Sequence, residues 1–270
     1  VMKGNLLIFA TLCLLLCWIM PVDSMTVSGA PGNRLTSPTI ISLSMVEDSV
    51  DDMYYGCNDN MMKIVQNVLK KKDHMFSYKK QWDDQKGCAK TKFKKREVKA
   101  LTKDHMQAIC VYTDNKLYRE FNNAVRINGN IYSSSFPFLS LHYLLTSAIH
   151  ILNNNYHCRT TYRRSTDRFT GKVNQIIRFG SFTSSSNRTD LTHFGRETCF
   201  IIKTCSGASL KKYSVFPDED EVLIPPYEMF KITEIINGQN NIEGLKDCKV
   251  VFVLDSAGGK SNLNCKVAHS

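Results

Sequence analysis

The sequence lacks most of the features that would assign it to a membrane, metal-binding or multidomain class. Beyond residue 20 it has no apolar run long enough to cross a bilayer, no internal repeat, no coiled-coil heptad and no Gly/Ser linker between domains. Its seven histidines show no metal-ligand spacing, so no metal is expected. What is present is a chain of 270 residues with 43% hydrophobic content. These numbers predict an ordinary globular protein.

A complete phosphate-binding loop is also missing. Gly258-Gly259-Lys260-Ser261 matches the end of a P-loop, but the pattern requires a glycine at the position of Leu254. The sequence therefore does not favour ATP hydrolysis.

The N-terminal segment predicts a secretory signal peptide covering residues 1–24. Met2-Lys3 precedes an apolar run from Leu6 to Met20, and Val22-Asp23-Ser24 offers a small-residue cleavage site. We therefore expect residues 25–270 to form one secreted, soluble domain, and a membrane-anchored form stays open if the chain continues further. Asn187-Arg188-Thr189 fits the acceptor pattern for N-glycosylation, which suits that route.

The cysteines suggest a disulfide framework. Ten are present, and removal of the signal peptide would take away Cys13 and Cys17. An even number in an oxidising compartment favours disulfides, although the eight that remain allow roughly a hundred pairings and the residues alone select none.

The hydrophobic pattern changes character part-way along the chain. From Asp51 to about Asn153 it is mostly helical, with apolar residues at spacings of three and four through 61–69 and a strongly apolar segment from Leu139 to Leu152. After Tyr156, short β-rich runs alternate with turn residues. These runs span 158–163, 175–182, 198–203, 221–224, 230–236 and 249–254. Helices followed by strands predict an α+β domain with an antiparallel β core.

Positive charge is concentrated in residues 70–99. This segment has twelve Lys/Arg and four Asp/Glu, a balance of +8 out of the chain's +10. Dense positive charge attracts polyanions such as heparan sulfate, anionic lipid or nucleic acid, but a solvated helical face has the same composition. Only Phe93 lies in the densest part, which is too little aromatic surface for base stacking. We therefore expect no nucleic acid and keep polyanionic glycans as a candidate partner.

An acidic run leads directly into an apolar strand between residues 216 and 226. Glu219 and Glu221 are two residues apart, so an extended backbone would place both carboxylates on one face. That arrangement suits a reaction with one electrophile and one nucleophile. A solvated acidic loop before a strand has the same pattern, and the run alone does not decide between the two.

Three segments in the second half of the chain decide the interpretation together. Residues 161–164 place an arginine at the end of a strand, 179–186 contain an aromatic-x-Ser-x-Ser pattern, and 219–226 read Glu-x-Glu followed by Val-Leu-Ile-Pro-Pro. In this combination the chain resembles the vertebrate ecto-ADP-ribosyltransferases specific for arginine. The resemblance covers roughly residues 45–265. Further landmarks are Asp52-Met53 with Gly56-Cys57, the segment 117–126, and Asn264-Cys265.

The resemblance implies a reaction and a fold. The reaction is transfer of ADP-ribose from the co-substrate NAD+ to the guanidinium of a protein arginine, with nicotinamide released. The fold is a helical N-terminal part packed on two antiparallel β-sheets, with NAD in the cleft between them. NAD glycohydrolase activity, in which water replaces arginine, and a non-catalytic NAD- or glycan-binding module stay as alternatives.

The resemblance also implies a role for each motif residue. Arg163 would hold the NAD pyrophosphate, because planar guanidinium donors pair bidentately with phosphate oxygens. Ser184 would support the catalytic Glu221, whose carboxylate would stabilise an oxocarbenium-like ribose. Glu219 would pair with the incoming guanidinium and assist removal of its proton. Ser214 would lie near NAD.

Two positions depart from the family pattern. Arg164 stands where the family usually has glycine, and its long side chain would either crowd the NAD phosphates or add a contact to them. Ser181 stands where many members have glutamine beside the nicotinamide. Both departures bear on the binding of NAD.

The resemblance suggests disulfide partners for four of the cysteines. The implied pairs are Cys57 with Cys265 and Cys158 with Cys205. The other four would form extra bridges, for which we expect Cys88 with Cys110 and Cys199 with Cys248, although the resemblance gives little guidance there.

Overall fold

A computed structural model describes residues 38–71, 77–153, 157–239 and 241–269 of the chain. The predicted signal peptide, with Cys13 and Cys17, lies outside these residues. Part of the basic segment 70–99, namely residues 72–76, lies outside them as well.

The first half of the described chain is helical. Its α-helices are α1 (Asn58–Lys70), α2 (Lys79–Asp84), α3 (Lys86–Lys94), α4 (Lys103–Thr113), α5 (Tyr118–Ile127), α6 (Tyr132–Ser135) and α7 (Leu139–Leu152). The predicted apolar segment 139–152 has the same bounds as α7. Helix α4 starts at a reciprocal cap: the Thr102 hydroxyl accepts the His105 N–H at 3.3 Å, and His105 Nδ1 accepts the Thr102 N–H at 3.0 Å. The cap provides hydrogen-bond acceptors for two backbone N–H groups near the start of α4. The other end of α4 lies at the cleft.

The second half is built mainly from strands. One strand, β1 (Ile40–Ser42), precedes the helices. The others are β2 (Arg159–Ser165), β3 (Arg168–Thr170), β4 (Ile176–Arg178), β5 (Thr183–Ser186), β6 (Thr198–Thr204), β7 (Ala208–Ser209), β8 (Glu221–Ile224), β9 (Glu228–Asn237) and β10 (Val250–Gly259). Eight of them form one sheet in the order β4-β9-β10-β6-β2-β5-β8-β7, and β1 pairs with β3 in a small parallel sheet. The α+β class is as predicted, and so is the order of helices before strands apart from β1, which was not predicted.

The two sheets expected from the resemblance are joined at one narrow point. Strands β2 and β5 share a single residue pair, Tyr162 with Ser186, whereas β2 and β6 share seven. The eight-stranded sheet is therefore close to being a five-stranded part and a three-stranded part. It is antiparallel except where β10 runs parallel to β6.

The predicted strand over residues 175–182 is too long: only Ile176–Arg178 (β4) forms a strand within it, and the next strand, β5, begins at Thr183. Gly180 lies between the two strands with a φ of +69°, and a Cβ at this position would be 2.5 Å from Cγ1 of Val46. Only glycine fits a backbone of this conformation this close to another side chain. The bend directs β5 to β8 and away from β9, the partner of β4.

Disulfides and two adjacent carboxylates connect the ends of the described chain. The structure contains the pairs Cys57–Cys265, Cys88–Cys110, Cys158–Cys205 and Cys199–Cys248. Beside the first pair, Asp52 accepts the Cys265 N–H at 2.9 Å. Its neighbour Asp51 accepts the N–H groups of residues 262 and 263 and pairs with the buried Arg178 at 2.6 Å. The C-terminal segment is thereby fixed against the helical part.

In the described part of the chain, no single helix has both the length and the apolar character needed to cross a membrane. Gly129–Ser135 and α7 meet these criteria only as a pair, and they are bent by 109° at the break between them. Helix α7 is buried from Ser140 to Ile149, as is typical of a core helix.

Candidate active site

Glu221, the first residue of β8, is held through both of its carboxylate oxygens. Ser184 of the neighbouring strand β5 donates from Oγ to Oε1 at 2.7 Å, and Ser214 donates from Oγ to Oε2 at 3.0 Å. Burial raises the pKa of Glu221, and the two hydroxyl hydrogen bonds act in the opposite direction. The two hydroxyls fix the orientation of this carboxylate, and no cationic side chain pairs with it among the residues that the structure describes.

Glu219 reaches the same cavity from a backbone that is not extended. Residues 217–219 form a 3-10 helix, and Asp220 has left-handed angles of φ 46° and ψ 50°. Ser186 donates from Oγ to the Glu219 carbonyl at 2.5 Å, which ties this loop to β5. The prediction of an extended backbone from Glu219 to Glu221 is therefore wrong, although both residues line one cavity.

The environment of Glu219 differs from that of Glu221. Its side chain is half-buried, and desolvation together with the charge of Glu221 raises the pKa of Glu219 to about 7. A carboxyl group with this pKa exchanges protons near neutral pH, which suits a general base. The cavity that the two carboxylates share is also lined by Tyr112, Thr113, Asn115, Tyr118, Ser184 and Phe216.

A second cavity of about 290 Å³ adjoins the first at Tyr118, which lines both. Arg163 of β2 and Arg126 of α5 both face it. Arg163 donates from Nη1 to the Ser184 carbonyl at 2.8 Å, and Arg126 donates from Nη2 to Ser181 Oγ at 2.8 Å. Nη1 of Arg126 is buried and has no hydrogen-bond partner among the described residues. Two guanidinium groups on one cavity make it suitable for a diphosphate.

Arg164 does not face either cavity. Successive side chains of a strand point to opposite faces, so Arg164 lies on the other side of β2 from Arg163. It is buried there, pairs with Asp247 at 2.9 Å, and donates to the carbonyls of Gly244 at 2.7 Å and Thr189 at 2.9 Å. The structure thus supports neither expectation for this residue, since it neither crowds the NAD cleft nor adds a contact to it.

Sequence reasoning gave Arg126 no role, although a signal was present. Tyr118, Asn122 and Arg126 recur at a spacing of four, so they lie along one side of α5. Asn122 is fully buried and donates from Nδ2 to the Tyr112 hydroxyl at 3.4 Å. Three side chains able to form hydrogen bonds along one side of a packed helix indicate that this side faces a polar cleft.

The structure places six of the predicted site residues around the two adjoining cavities: Arg163, Ser181, Ser184, Ser214, Glu219 and Glu221. Asn187, the predicted glycosylation site, is exposed at the end of β5, where its N–H donates to the Asp220 carbonyl at 3.2 Å. Within the described ranges, no group of three or more His, Cys, Asp or Glu side chains is placed to hold a metal.

Comparison with known proteins decides the family. The family described as NAD:arginine ADP-ribosyltransferase matches residues 43–246. The chain belongs to this family. A chicken erythroblast NAD(P)(+)–arginine ADP-ribosyltransferase is 34% identical over 242 residues, which cover 84% of this chain and 76% of the relative. Bovine ecto-ADP-ribosyltransferase 5 is 36% identical over 217 residues, covering 75% and 69%.

Solved structures of ADP-ribosyltransferases have the same fold. The eukaryotic mono-ADP-ribosyltransferase ART2.2 superposes with a TM-score of 0.71 at 31% identity, over 83% of this chain and 98% of that one. A mutant of ART2.2 solved in complex with NAD gives a TM-score of 0.70 at 30% identity, with the same coverage. The family, the fold class and the class of NAD-dependent ADP-ribosyltransferase predicted from the sequence are confirmed.

Proposed function

We propose that this ADP-ribosyltransferase moves ADP-ribose from NAD+ to the guanidinium of arginine side chains in target proteins and releases nicotinamide. The proposal depends mainly on the position of Glu221. Its carboxylate is held through both oxygens and shares a cavity with Glu219, and two arginines face the adjoining second cavity. The names of the relatives, arginine ADP-ribosyltransferases that use NAD(P)(+), supply the reaction and the acceptor.

The second cavity suits the diphosphate of NAD. Arg163 and Arg126 both face it, and Nη1 of Arg126 is a buried donor without a partner among the described residues. Burial, and to a smaller extent the charge of Arg163, lowers the pKa of Arg126. An anion between the two guanidinium groups would remove their mutual repulsion and supply the acceptor that Arg126 lacks.

Glu221 is the group we assign to cleavage of the bond between nicotinamide and ribose. As this bond breaks, its electron pair leaves with nicotinamide and positive charge develops on the ribose ring. A fixed carboxylate next to the ring stabilises that charge more than it stabilises bound NAD, so it lowers the barrier. Ser184 and Ser214 contribute by preventing rotation of the carboxylate and by favouring its ionised form.

Glu219 is the group we assign to the acceptor. The guanidinium nitrogen forms the new bond to the ribose carbon and loses a proton, and a carboxylate in the same cavity can orient the guanidinium and take that proton. The raised pKa of Glu219, about 7, makes its carboxylate a better proton acceptor than an ordinary glutamate.

The balance between transfer and hydrolysis should depend on pH. Below its pKa of about 7 Glu219 is neutral, and above it the carboxylate is charged and able to pair with arginine. We therefore expect the ratio of agmatine adduct to free ADP-ribose to rise between about pH 6 and pH 8. Product ratios at fixed NAD and agmatine measure it, with Glu219→Gln as the control whose ratio should stay flat. A wild-type ratio that falls or does not change would contradict the assignment.

Labelled NAD incubated with the pure protein and agmatine, a soluble arginine mimic, tests the function itself. An agmatine adduct supports arginine transfer. Free ADP-ribose alone would indicate an NAD glycohydrolase. Binding of NAD without either product would indicate a non-catalytic binding module.

An extracellular or cell-surface location agrees with the four disulfides and with relatives named as ecto-ADP-ribosyltransferases. The secreted form is our proposal, as is N-glycosylation of the exposed Asn187, which lies next to the acidic loop. We expect glycosidase treatment to lower the mass of the wild-type protein purified from a secreting host. The mass of Asn187→Gln should not change. An unchanged mass of the wild-type protein would contradict the proposal.

Polyanionic glycans are a further proposed partner, supported by charge. Lys86, Lys90 and Lys94 are exposed at a spacing of four along α3, so they present one positive stripe. Changing all three to glutamine should lower the salt needed to elute the protein from heparin by more than changing three lysines elsewhere. An equal decrease in the eluting salt concentration for both sets of variants would show that these three lysines bind heparin no better than other lysines.

A further inference from the structure

The segment 212–215, which positions Ser214, is held from outside the cleft by one lysine. Nζ of Lys92, on α3, donates to the carbonyl of Lys212 at 2.6 Å and to the carbonyl of Ser214 at 2.7 Å. The ammonium group therefore bridges two carbonyls on either side of Tyr213. Neighbouring lysines of α3, such as Lys90, are exposed.

Other contacts fix the same segment from its remaining sides. Thr113, the last residue of α4, accepts the Val215 N–H on its Oγ1 at 3.0 Å. The Tyr213 hydroxyl accepts the N–H groups of Glu97 at 3.1 Å and Val98 at 3.3 Å. The segment thus lies between the end of α4 and the region around α3.

Helix α3 provides a firm base for Lys92. Cys88, one turn earlier on α3, is bonded to Cys110 of α4, so the two helices that contact the segment are covalently joined. Partial burial lowers the pKa of Lys92, and burying part of an ammonium group is unfavourable unless hydrogen bonds replace its water. The two carbonyls supply such bonds.

We propose that Lys92 is a positioning residue for Glu221 that acts through Ser214. Lys92 fixes the backbone of Ser214, and Ser214 holds one oxygen of the carboxylate at 3.0 Å. Lys92 itself lies outside the residues that line the cavity of Glu219 and Glu221. The inference rests on the proposed function of that cavity and adds a residue that no motif of the sequence contains.

Removal of the Lys92 ammonium group, which bridges the two carbonyls, should change the pKa of Glu221. Ser214 and Ser184 donate to the carboxylate, Glu219 and Tyr112 face it from the acidic loop and from α4, and Arg163 donates to the Ser184 carbonyl from β2. If Ser214 moves, one favourable hydrogen bond to the charged form is lost and the other groups stay. The pKa of Glu221 should therefore rise, which moves the acid limb of activity to higher pH.

The test compares Lys92→Met, which keeps the aliphatic stem and removes the donors, with Lys92→Arg and with Lys95→Met as the matched control, since Lys95 is an exposed lysine at the C-terminal end of α3. We expect Lys92→Met to lower kcat for nicotinamide release about tenfold with little change in KM for NAD. Lys92→Arg should recover most of the loss, and Lys95→Met should behave as wild type. An unchanged kcat in Lys92→Met would overturn the proposal.

Two further measurements separate positioning from general destabilisation. In a double-mutant cycle, Lys92→Met should add little to the effect of Ser214→Ala, because both remove the same hydrogen bond. Fully additive effects would overturn the proposal. Carbon-13 NMR titration of labelled glutamate, with Glu221→Gln for assignment, should show a higher pKa for Glu221 in Lys92→Met. This reading needs no turnover, so it tests Lys92 even if the wild-type protein proves to have no transferase activity.

Discussion

Replacement of Glu221 by glutamine is expected to abolish nicotinamide release and arginine transfer together. Both reactions need the same developing charge on the ribose to be stabilised, and the amide supplies none of the negative charge. Loss of a preorganised electrostatic contact of this kind lowers kcat by about 1,000-fold, which corresponds to about 4 kcal/mol of barrier. Assays of nicotinamide release with and without agmatine measure it.

The fold should survive this replacement. Glutamine has nearly the volume of glutamate, and a neutral amide is less unfavourable than a carboxylate at a site that is 6% exposed. One of the two serine hydroxyls must turn to accept from the new amide. The thermal midpoint should therefore stay at the wild-type value or rise. Near-normal turnover with a native melting curve would show that Glu221 is not the catalytic group.

Replacement of Glu219 by glutamine should separate the two reactions. The acceptor loses the carboxylate that orients it and takes its proton, while the contacts that Ser184 and Ser214 make with Glu221 are unchanged. Transfer to agmatine should fall by about 100-fold, and nicotinamide release in the absence of acceptor should stay within about threefold of wild type.

The matched control for Glu219 is Asp218→Asn, in the same 3-10 helix but outside the residues that line the cavity. It removes one negative charge from the same loop, so it measures the effect of the loop's charge as such. Both reactions should be nearly unaffected by it. Equal loss of transfer and hydrolysis in Glu219→Gln would show that Glu219 acts on NAD as well as on the acceptor.

Much of the fold was predictable because its signals are local. The apolar run 139–152 matches α7, where the run gives way to polar asparagines, and the run 221–224 matches β8, which is followed by two prolines. The need for glycine at the bend was not predictable in the same way, because the side chain that excludes a Cβ there belongs to Val46, which is distant in the sequence. Local pattern cannot show a distant steric limit.

In the site, likewise, the motif residues could be predicted from the sequence, whereas the residues that contact them from other parts of the fold could not. The resemblance named Arg163, Ser184 and Glu221, but it gave no information on the groups that surround them. Arg126 reaches the cleft from α5, which overlaps the landmark segment 117–126, but the resemblance gave this residue no role. The partner of Arg164, Asp247, is 83 residues away in the sequence, and no local pattern connects the two.

The two adjacent arginines of β2 also make the strand's pairing unambiguous. A shift by one residue along the sheet would exchange the faces of all its side chains. Arg164 would then turn toward the cleft, and Asp247 would lose the guanidinium that pairs with it at 2.9 Å. Arg163 would be buried on the opposite face, away from the Ser184 carbonyl. In the shifted alignment both guanidinium groups would be without their native partners, which is unfavourable for buried charges. Arg163 and Arg164 therefore also disfavour this alternative alignment of β2 during folding.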